Sequence, residues 1–119
     1  MRIAIPLSDG QLSRHFGHSE QFLFIDTDNE MRAVLGRVIE TAPEHAPGLL
    51  PRWLVERGVN VVIAAGLGGR ASEQLAANTV QMVTGVSSSD PEESIKEFLN
   101  GTLQSGENHC DHSGHNCHH

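Results

Sequence analysis

Residues 59–75 read VNVVIAAGLGGRASEQL, and no other stretch of the chain is as informative about the fold class. Its first part, Val59–Ala65, is a continuous apolar run with β-branched residues, which is typical of a strand covered on both faces. Three glycines interrupt the run, and Arg70–Ala77 then follows with the apolar spacing of a helix. A buried strand, a glycine-rich turn and a helix in succession predict an α/β fold.

Upstream of this stretch, three segments show the patterns of strands. Arg2–Leu7 alternates apolar residues on one face and predicts the first strand. Gln21–Thr27 and Met31–Ile39 predict the second and third strands, and Asp28-Asn29 between them is typical of a turn. We therefore expect the second and third strands to form an antiparallel hairpin.

The remaining segments predict helices and one more strand. Apolar residues recur at helical spacing between Gly48 and Gly58, which predicts a short first helix. Thr79–Val83 predicts a fifth, short strand. Asp90-Pro91 begins a third helix, because the acid can cap it and proline suits the first helical position. The resulting order β-β-β-α-β-α-β-α predicts a mixed five-stranded sheet with helices on its faces.

The length and composition divide the chain into one domain and a tail. The 119 residues are enough for a single hydrophobic core, which we assign to residues 1–103. Residues 104–119 are polar and rich in Gly, Ser and His, and this composition predicts a disordered tail.

The charge balance excludes several classes of partner. Lys plus Arg number 8 and Asp plus Glu number 15, giving a formal net charge of −7. A nucleic-acid-binding protein needs a basic face, so nucleic acid is not expected as a partner. The sequence contains neither an apolar run long enough to span a membrane nor a secretory signal pattern. We therefore expect a cytoplasmic protein without a membrane partner.

Two loops are expected to meet at one end of the sheet. If the first and fourth strands are adjacent and parallel, ligands bind where the chain leaves their carboxyl ends. The segments that leave there are Ser8–Glu20, which contains Arg14, His15, Phe16, Gly17 and His18, and Gly66–Arg70. Phe16 can anchor the first loop to the core, and Gly17 permits a tight bend with a histidine on either side.

The second loop favours anions. Glycines at 66, 68 and 69 leave backbone N–H groups exposed beside a helix N-terminus, and Arg70 adds a cation. The sequence is neither a P-loop nor a GxGxxG match. Together the two loops predict a pocket of N–H groups, imidazoles and guanidiniums for a compact anion, although either loop could also be an ordinary connection.

The tail is the densest set of metal ligands in the sequence. Imidazole and thiolate bind soft and borderline metals. A metal could draw four ligands from this set, and the tail is suited to exchangeable capture of Zn, Ni or Cu. The residues are His109, Cys110, His112, His115, Cys117, His118 and His119.

The N-terminal strand, the SRHFGHSE loop and the strand leading into GLGGRASEQL resemble the dinitrogenase iron–molybdenum cofactor biosynthesis family. This family includes NifX-type and NifY-type carriers, the C-terminal domain of NifB and the orange protein. The resemblance covers about residues 1 to 103, and its most specific element is HFG followed by a polar or Cys position. It implies a ribonuclease H-like fold and non-catalytic carriage of a metal–sulfur cluster or its precursor.

The resemblance also implies which residues bind the cluster. In the orange protein the implied ligand is an anionic molybdenum–copper sulfide cluster held largely without covalent links. Some relatives carry Cys near Ser19, whereas this chain has no Cys before residue 110. The predicted cluster-binding residues are Arg14, His15, Phe16, Gly17, His18, Ser19, Gly66, Gly68, Gly69 and Arg70. A Mo/Cu or Mo/Fe sulfide is the implied cofactor, and client or cluster-assembly proteins are the implied partners of a monomer or weak dimer.

Two alternatives come from other classes of function. A metal chaperone or sensor for Zn, Ni or Cu would act through the C-terminal His/Cys tail, with the fold as a docking platform. A nuclease would need clustered acidic residues on the central strands to hold two metal ions, and the first and fourth strands carry none. We therefore do not expect an enzyme.

Overall fold

A computed structural model describes residues 1–28, 30, 33–43, 49–86, 89–101 and 103. The predicted tail, residues 104–119, lies outside this set together with its His and Cys ligands. Asn29 of the predicted turn, Met31 at the predicted start of the third strand and Gly48 before the first helix also lie outside it.

Within the described residues the chain forms one six-stranded mixed sheet and three α-helices. The strands are β1 (Arg2–Ser8), β2 (Gln11–Leu12), β3 (Gln21–Asp28), β4 (Ala33–Thr41), β5 (Val61–Ile63) and β6 (Gln81–Val83); the helices are α1 (Leu49–Glu56), α2 (Gly69–Ala77) and α3 (Pro91–Asn100). The path order is β4-β3-β1-β5-β6, with β2 paired to β1. The α/β class is confirmed, and the ribonuclease H-like label stays a prediction.

The predicted count of five strands was wrong, because the chain contains the additional strand β2. Asp9 and Gly10 join β1 to β2 with positive φ angles of 54° and 79°. A two-residue turn with both φ angles positive matches the twist of a hairpin, and Asp-Gly is among its preferred sequences. The first loop therefore begins with a short hairpin.

The pairings that place the candidate site are confirmed. β1 and β5 are adjacent and parallel, with Ile3 opposite Val61 and Ala4 opposite Val62. β3 pairs antiparallel with β1 on one side and with β4 on the other, so the predicted hairpin forms. The carboxyl ends of β1 and β5 therefore lie at the same edge of the sheet.

Each face of the sheet has its own hydrophobic core because successive side chains of a strand point to opposite faces. Ile3, Ile5 and Leu7 of β1 belong to the cluster that Ile95 of α3 covers. Ala4, together with Phe22 of β3, belongs to the opposite cluster, which contains residues of α1 and α2. One face thus carries two helices and the other carries one. No helix in the described part of the chain is long and apolar enough to cross a membrane.

The fourth predicted strand is shorter than its apolar run. Val59 is buried, but its N–H donates to the Leu54 carbonyl at the end of α1. Ala64 and Ala65 are also buried beyond the end of β5. Burial therefore extends past the strand on both sides, which is why the apolar run overestimates its length.

The third helix follows its predicted signals. Asp90 accepts a hydrogen bond from the N–H of Glu92 at 3.0 Å, and Pro91 occupies the first turn. Gly101 ends the helix with φ 76°, a left-handed conformation that glycine adopts without steric penalty.

An ion pair joins β1 to β3 at the end of the strands opposite the two loops. The Arg2 Nε donates to Asp26 Oδ1 at 2.9 Å, and Arg2 Nη1 also donates to the Arg57 carbonyl at 2.7 Å. The hydrogen bond to Arg2 lowers the pKa of Asp26, and the same bond raises the pKa of Arg2.

Candidate functional site

The two loops at the carboxyl ends of β1 and β5 are joined directly. The backbone N–H of Phe16 donates to the carbonyl of Gly66 at 3.1 Å. The structure therefore brings the RHFGH segment beside the glycine-rich segment, as the strand order predicts.

β1 changes its pairing partner beyond the end of β5, at the same end of the sheet. β1 pairs with β5 through Ile3 and Ala4 and with β2 through Leu7 and Ser8. The first loop stays beside β1 after β2, because the Ser13 N–H donates to the Pro6 carbonyl at 2.8 Å. Ligands of open α/β sheets bind in crevices where neighbouring chain connections diverge.

Phe16 anchors the first loop, as predicted. Its side chain is 2% exposed and meets Phe22 of β3 edge to face, with 5.6 Å between ring centroids. Leu67 of the second loop is fully buried in the same cluster as Phe16. Each loop therefore inserts one apolar side chain into the core beneath α1 and α2, and this fixes the backbone on either side.

Ser19 is part of the loop framework. It is fully buried, and its hydroxyl donates to the Phe16 carbonyl at 2.9 Å and to the His15 carbonyl at 3.3 Å. These contacts hold the loop in shape, and the predicted binding of a cluster by Ser19 stays a prediction.

The histidines lie at the two ends of a short 3-10 helix, Phe16–His18. His15 is its N-cap and is exposed, and the backbone of His18 forms its last residue. Ser13 fixes the backbone of His15, since its hydroxyl accepts from the His15 N–H at 3.2 Å and donates to the His15 carbonyl at 2.9 Å. Arg14, which lies between Ser13 and His15, is exposed.

The second loop leads into the N-terminus of α2 without a side-chain cap. Gly68 is the N-cap residue and has no side chain to accept the first N–H groups of the helix. The first turn contains Arg70 and no carboxylate. The N-terminus of α3 differs, because Asp90 caps it and Glu92 and Glu93 neutralise its dipole. The α2 terminus is therefore the better one for an anion.

Two glycines of the loops adopt conformations that any residue could adopt. Gly17 and Gly69 have no φ in the left-handed region, and a Cβ added to either would meet no atom within 4 Å. Neither the fold nor the packing of these described residues requires glycine there. One physical use of glycine at such a position is close approach of another molecule to the backbone. The bend at Gly17 is thus a 3-10 turn that does not depend on glycine.

Side-chain metal ligands are not grouped in the described part of the chain. Residues 1–28, 30, 33–43, 49–86, 89–101 and 103 contain no group of three or more His, Cys, Asp or Glu placed to hold a metal ion. The seven predicted ligands of the tail lie outside these residues.

Sequence reasoning missed Ser13 and Ser89 as residues that build the site. Ser13 is 4% exposed, and its hydroxyl bonds to both backbone groups of His15. The Ser89 carbonyl accepts from the Leu12 N–H at 2.8 Å. The Asp9-Gly10 pair was the available signal for the hairpin that brings Leu12 there. No sequence signal indicates the Ser89 contact, because it joins segments far apart in the chain.

The fold and the two joined loops define a small α/β domain in which a helix N-terminus without a side-chain cap lies beside the carboxyl ends of two parallel strands. The chain belongs to the dinitrogenase iron-molybdenum cofactor family, whose family model matches residues 1–101. The resemblance stated from the sequence is confirmed.

Individual relatives share most of the chain. Protein MJ0580 of Methanocaldococcus jannaschii is 30% identical over 110 residues, which cover 87% of this chain and 90% of that protein. The crystal structure of PH0822 matches with a TM-score of 0.81 and 32% identity, covering 88% of this chain and 94% of the other. The apo form of the orange protein from Desulfovibrio gigas shares the fold, with a TM-score of 0.64, 20% identity, and coverage of 90% and 93%.

Proposed function

We propose that this protein is a non-catalytic carrier or scaffold for a metal–sulfur cluster containing Mo, Fe or both, or for a precursor of such a cluster. The cargo is held between the RHFGH loop and the GLGG loop. The observation that carries the proposal is the bond from Phe16 to Gly66, since it joins the two loops at the carboxyl edge of the sheet.

The chemistry of the two loops suits an anionic sulfide cluster. The α2 N-terminus offers backbone N–H groups and a positive dipole end, and Arg70 adds a full charge. These positive groups belong to a chain with a net charge of −7, so they form a local site for an anion. The open space at Gly17 and Gly69 allows a compact cargo to approach the backbone itself.

The donor set of this chain indicates how the cargo is held. Its two cysteines, Cys110 and Cys117, lie in the tail, so thiolates from residues 1–109 cannot anchor a cluster. In our proposal, hydrogen bonds to cluster sulfides do most of the binding, and the imidazoles of His15 and His18 replace thiolates as ligands. Arg14 contributes charge, and Ser19 contributes by shaping the loop.

Membership of the family supports the nature of the cargo. The description of the family names the iron–molybdenum cofactor of dinitrogenase, and its model matches residues 1–101. The orange protein, whose apo form shares the fold, supports carriage of a releasable group. We propose cofactor precursors and cluster-assembly proteins as partners, with a nitrogenase-independent client equally compatible with the site.

A second function, metal chaperoning through the tail, is favoured by the ligand density between His109 and His119. In this version the tail captures Zn, Ni or Cu, and the folded domain only docks on a partner. In the cluster-carrier version, the tail gathers or passes metal while the loops hold the cargo.

The ultraviolet–visible spectrum and metal content of protein purified anaerobically from its native host separate these functions. The cluster-carrier proposal predicts sulfide-to-metal charge-transfer bands together with Mo, Fe or Cu in the sample. A colourless sample that contains zinc alone would contradict it and would support the chaperone.

A further inference from the structure

β4 carries an unusual concentration of exposed apolar side chains. Among the described residues, the large hydrophobic side chains that are exposed are Met1 and three residues of β4: Leu35 at 68%, Val38 at 54% and Ile39 at 57%. Scattered single apolar residues are normal on a surface. Val38 and Ile39 lie on opposite faces of the sheet, so both faces of β4 expose an apolar side chain.

The outer side of β4 pairs with no other strand among the described residues, because β4 lies at one end of their strand order. The Ala42 N–H donates to the Glu20 carbonyl, directly opposite in the β3–β4 register. Hydrogen-bonding groups alternate in direction along an antiparallel strand, so Arg37, Ile39 and Thr41 direct theirs away from β3. β3 shows the same alternation. The Thr27 N–H points towards β1, where it donates to the Met1 carbonyl.

The segment Gly36–Thr41 of β4 lacks the strongest of the features that protect edge strands from pairing. Natural edges carry proline or charged side chains, lysine above all, or are distorted by bulges. β4 contains no proline or lysine, and its charged residues are both paired within the chain: Arg37 with Glu92 at 3.0 Å and Glu40 with Arg57 at 2.8 Å. One irregularity occurs opposite Asp26 and Thr27, which leaves Gly36–Thr41 as a regular segment.

We propose that Gly36–Thr41 of β4 pairs antiparallel with the same segment of a second copy of this chain, about a two-fold axis at Ile39. The occupant is a strand because the surface offers a row of backbone donors and acceptors. It is a second copy because the segment is self-complementary in this register: Ile39 meets Ile39 of the other copy, and Arg37 meets Thr41. All three outward-facing residues then find partners.

The charges disfavour two of the other registers. An axis at Arg37 would place the two Arg37 side chains opposite each other, and an axis at Glu40 would do the same for the two glutamates. Like charges directly opposite each other destabilise strand pairs. With the axis at Ile39, Glu40 lies opposite Val38, and each charged side chain keeps its ion pair within its own chain.

The pairing leaves the two candidate cargo sites independent. β1 runs parallel to β4, because each is antiparallel to β3. The second copy is reversed, so the loops at the carboxyl end of its β1 lie at the opposite end of the combined sheet. Pairing therefore neither covers nor completes the cargo site. The proposed pairing and the proposed function can fail independently of each other.

Sedimentation equilibrium of the full chain, with reductant and chelator to exclude disulfide- and metal-linked species, tests the pairing. We expect a mass of twice 12.9 kDa at high concentration that falls towards one chain mass on dilution. Ile39→Pro removes an outward N–H and no bond to β3, and Ile39→Lys introduces an edge charge. Both variants should keep the single-chain mass at every concentration, whereas Gln74→Lys, the same charge change on the exposed side of α2, should behave as wild type.

If Ile39→Pro fails to fold by circular dichroism, Ile39→Lys decides the matter. A wild-type chain of single mass at all concentrations, or an Ile39→Lys chain that remains a dimer, would overturn the proposal.

The register has its own test. In a chain with Cys110→Ser and Cys117→Ser, Ile39→Cys should form an intermolecular disulfide under mild oxidation. Hydrogen-bonded antiparallel partners have Cα atoms about 5.5 Å apart, within the range that a disulfide spans. Leu35→Cys, outside the regular segment, should not cross-link. Efficient cross-linking through Leu35→Cys alone would exclude a two-fold axis at Ile39.

Discussion

The N–H of Phe16 donates to the carbonyl of Gly66, and this single backbone bond joins the ends of the two central parallel strands. The bond forms because the loops are fixed on either side of it, by Phe16 in the first loop and Leu67 in the second. Both side chains are buried in the same core. The position of the exposed groups, His15 and Arg70 among them, therefore depends on apolar packing beneath them.

Truncation of the anchor should affect both stability and cargo binding. Because Phe16 is almost fully buried, Phe16→Ala should reduce the free energy of unfolding by about 3–5 kcal/mol. Urea denaturation measures this loss, and titration with tetrathiomolybdate, a coloured molybdenum sulfide anion, measures binding at a temperature where the variant is folded. Phe98→Ala, in the core on the other face, is the control and should leave binding intact. Equal loss of binding in both variants would mean that Phe16 acts through global stability alone.

The histidines of the first loop should contribute to retention of the cargo. His15→Ala and His18→Ala together should increase dissociation of a reconstituted cluster, because the loops contain no thiolate to take their place. Gel filtration followed by metal analysis measures the retained fraction. Undiminished retention would leave backbone N–H groups and guanidiniums as the whole binding set.

The tail and the loops should be separable. Cys110→Ser with Cys117→Ser should weaken binding of Zn²⁺, since thiolates are its strongest protein ligands. The same variant should bind tetrathiomolybdate as wild type does if the cargo lies between the loops. Competition with a chromophoric zinc chelator and the spectrophotometric titration measure the two affinities. Loss of both affinities together would place the cargo at the tail.

Asp26→Asn should lower stability at neutral pH and not in acid. The hydrogen bond to Arg2 lowers the pKa of Asp26 below its ordinary value of 3.8, so the pair stabilises the folded chain above that pH. The contribution disappears as the pH falls through the lowered pKa. Both side chains are substantially exposed, so the loss at pH 7 should be at most about 1 kcal/mol. Urea denaturation at pH 7 and at a series of lower pH values, with Glu73→Gln as an exposed control, tests this; a deficit that stays constant as the pH falls through the acid range would contradict it.

Much of the fold could be predicted because its signals are local. The alternation in Arg2–Leu7, the apolar run at Val59–Ala65 and the cap at Asp90 each depend on a few neighbouring residues. β2 escaped prediction because two residues, Gln11 and Leu12, are too short for any periodicity. Its existence depends on the Asp9-Gly10 turn and on pairing with the end of β1.

The candidate site could be predicted only as two loops. Their meeting follows from the parallel pairing of β1 and β5, which the order of elements indicates. The role of Ser19 could not be inferred, since its hydroxyl partners are carbonyls of the same loop in a folded shape. Nor does the sequence reveal that Gly17 and Gly69 have space around them, because glycine in a loop usually indicates a turn.

These two glycines provide the most direct test of a cargo between the loops. Gly69→Ala places a better helix former at the first position of α2, and Gly17→Ala introduces no contact within 4 Å. The free energy of unfolding should stay unchanged or rise by up to about 1 kcal/mol. Gly36→Ala, on β4 with equally open space, is the matched control away from the loops.

The decisive measurement is the affinity for tetrathiomolybdate of the Gly17→Ala/Gly69→Ala chain, determined by spectrophotometric titration beside its urea denaturation curve. Our account predicts at least a tenfold loss of affinity in a chain as stable as wild type, with Gly36→Ala unchanged. Wild-type affinity in the double variant would show that nothing approaches the backbone there, and would contradict a cargo held between the two loops.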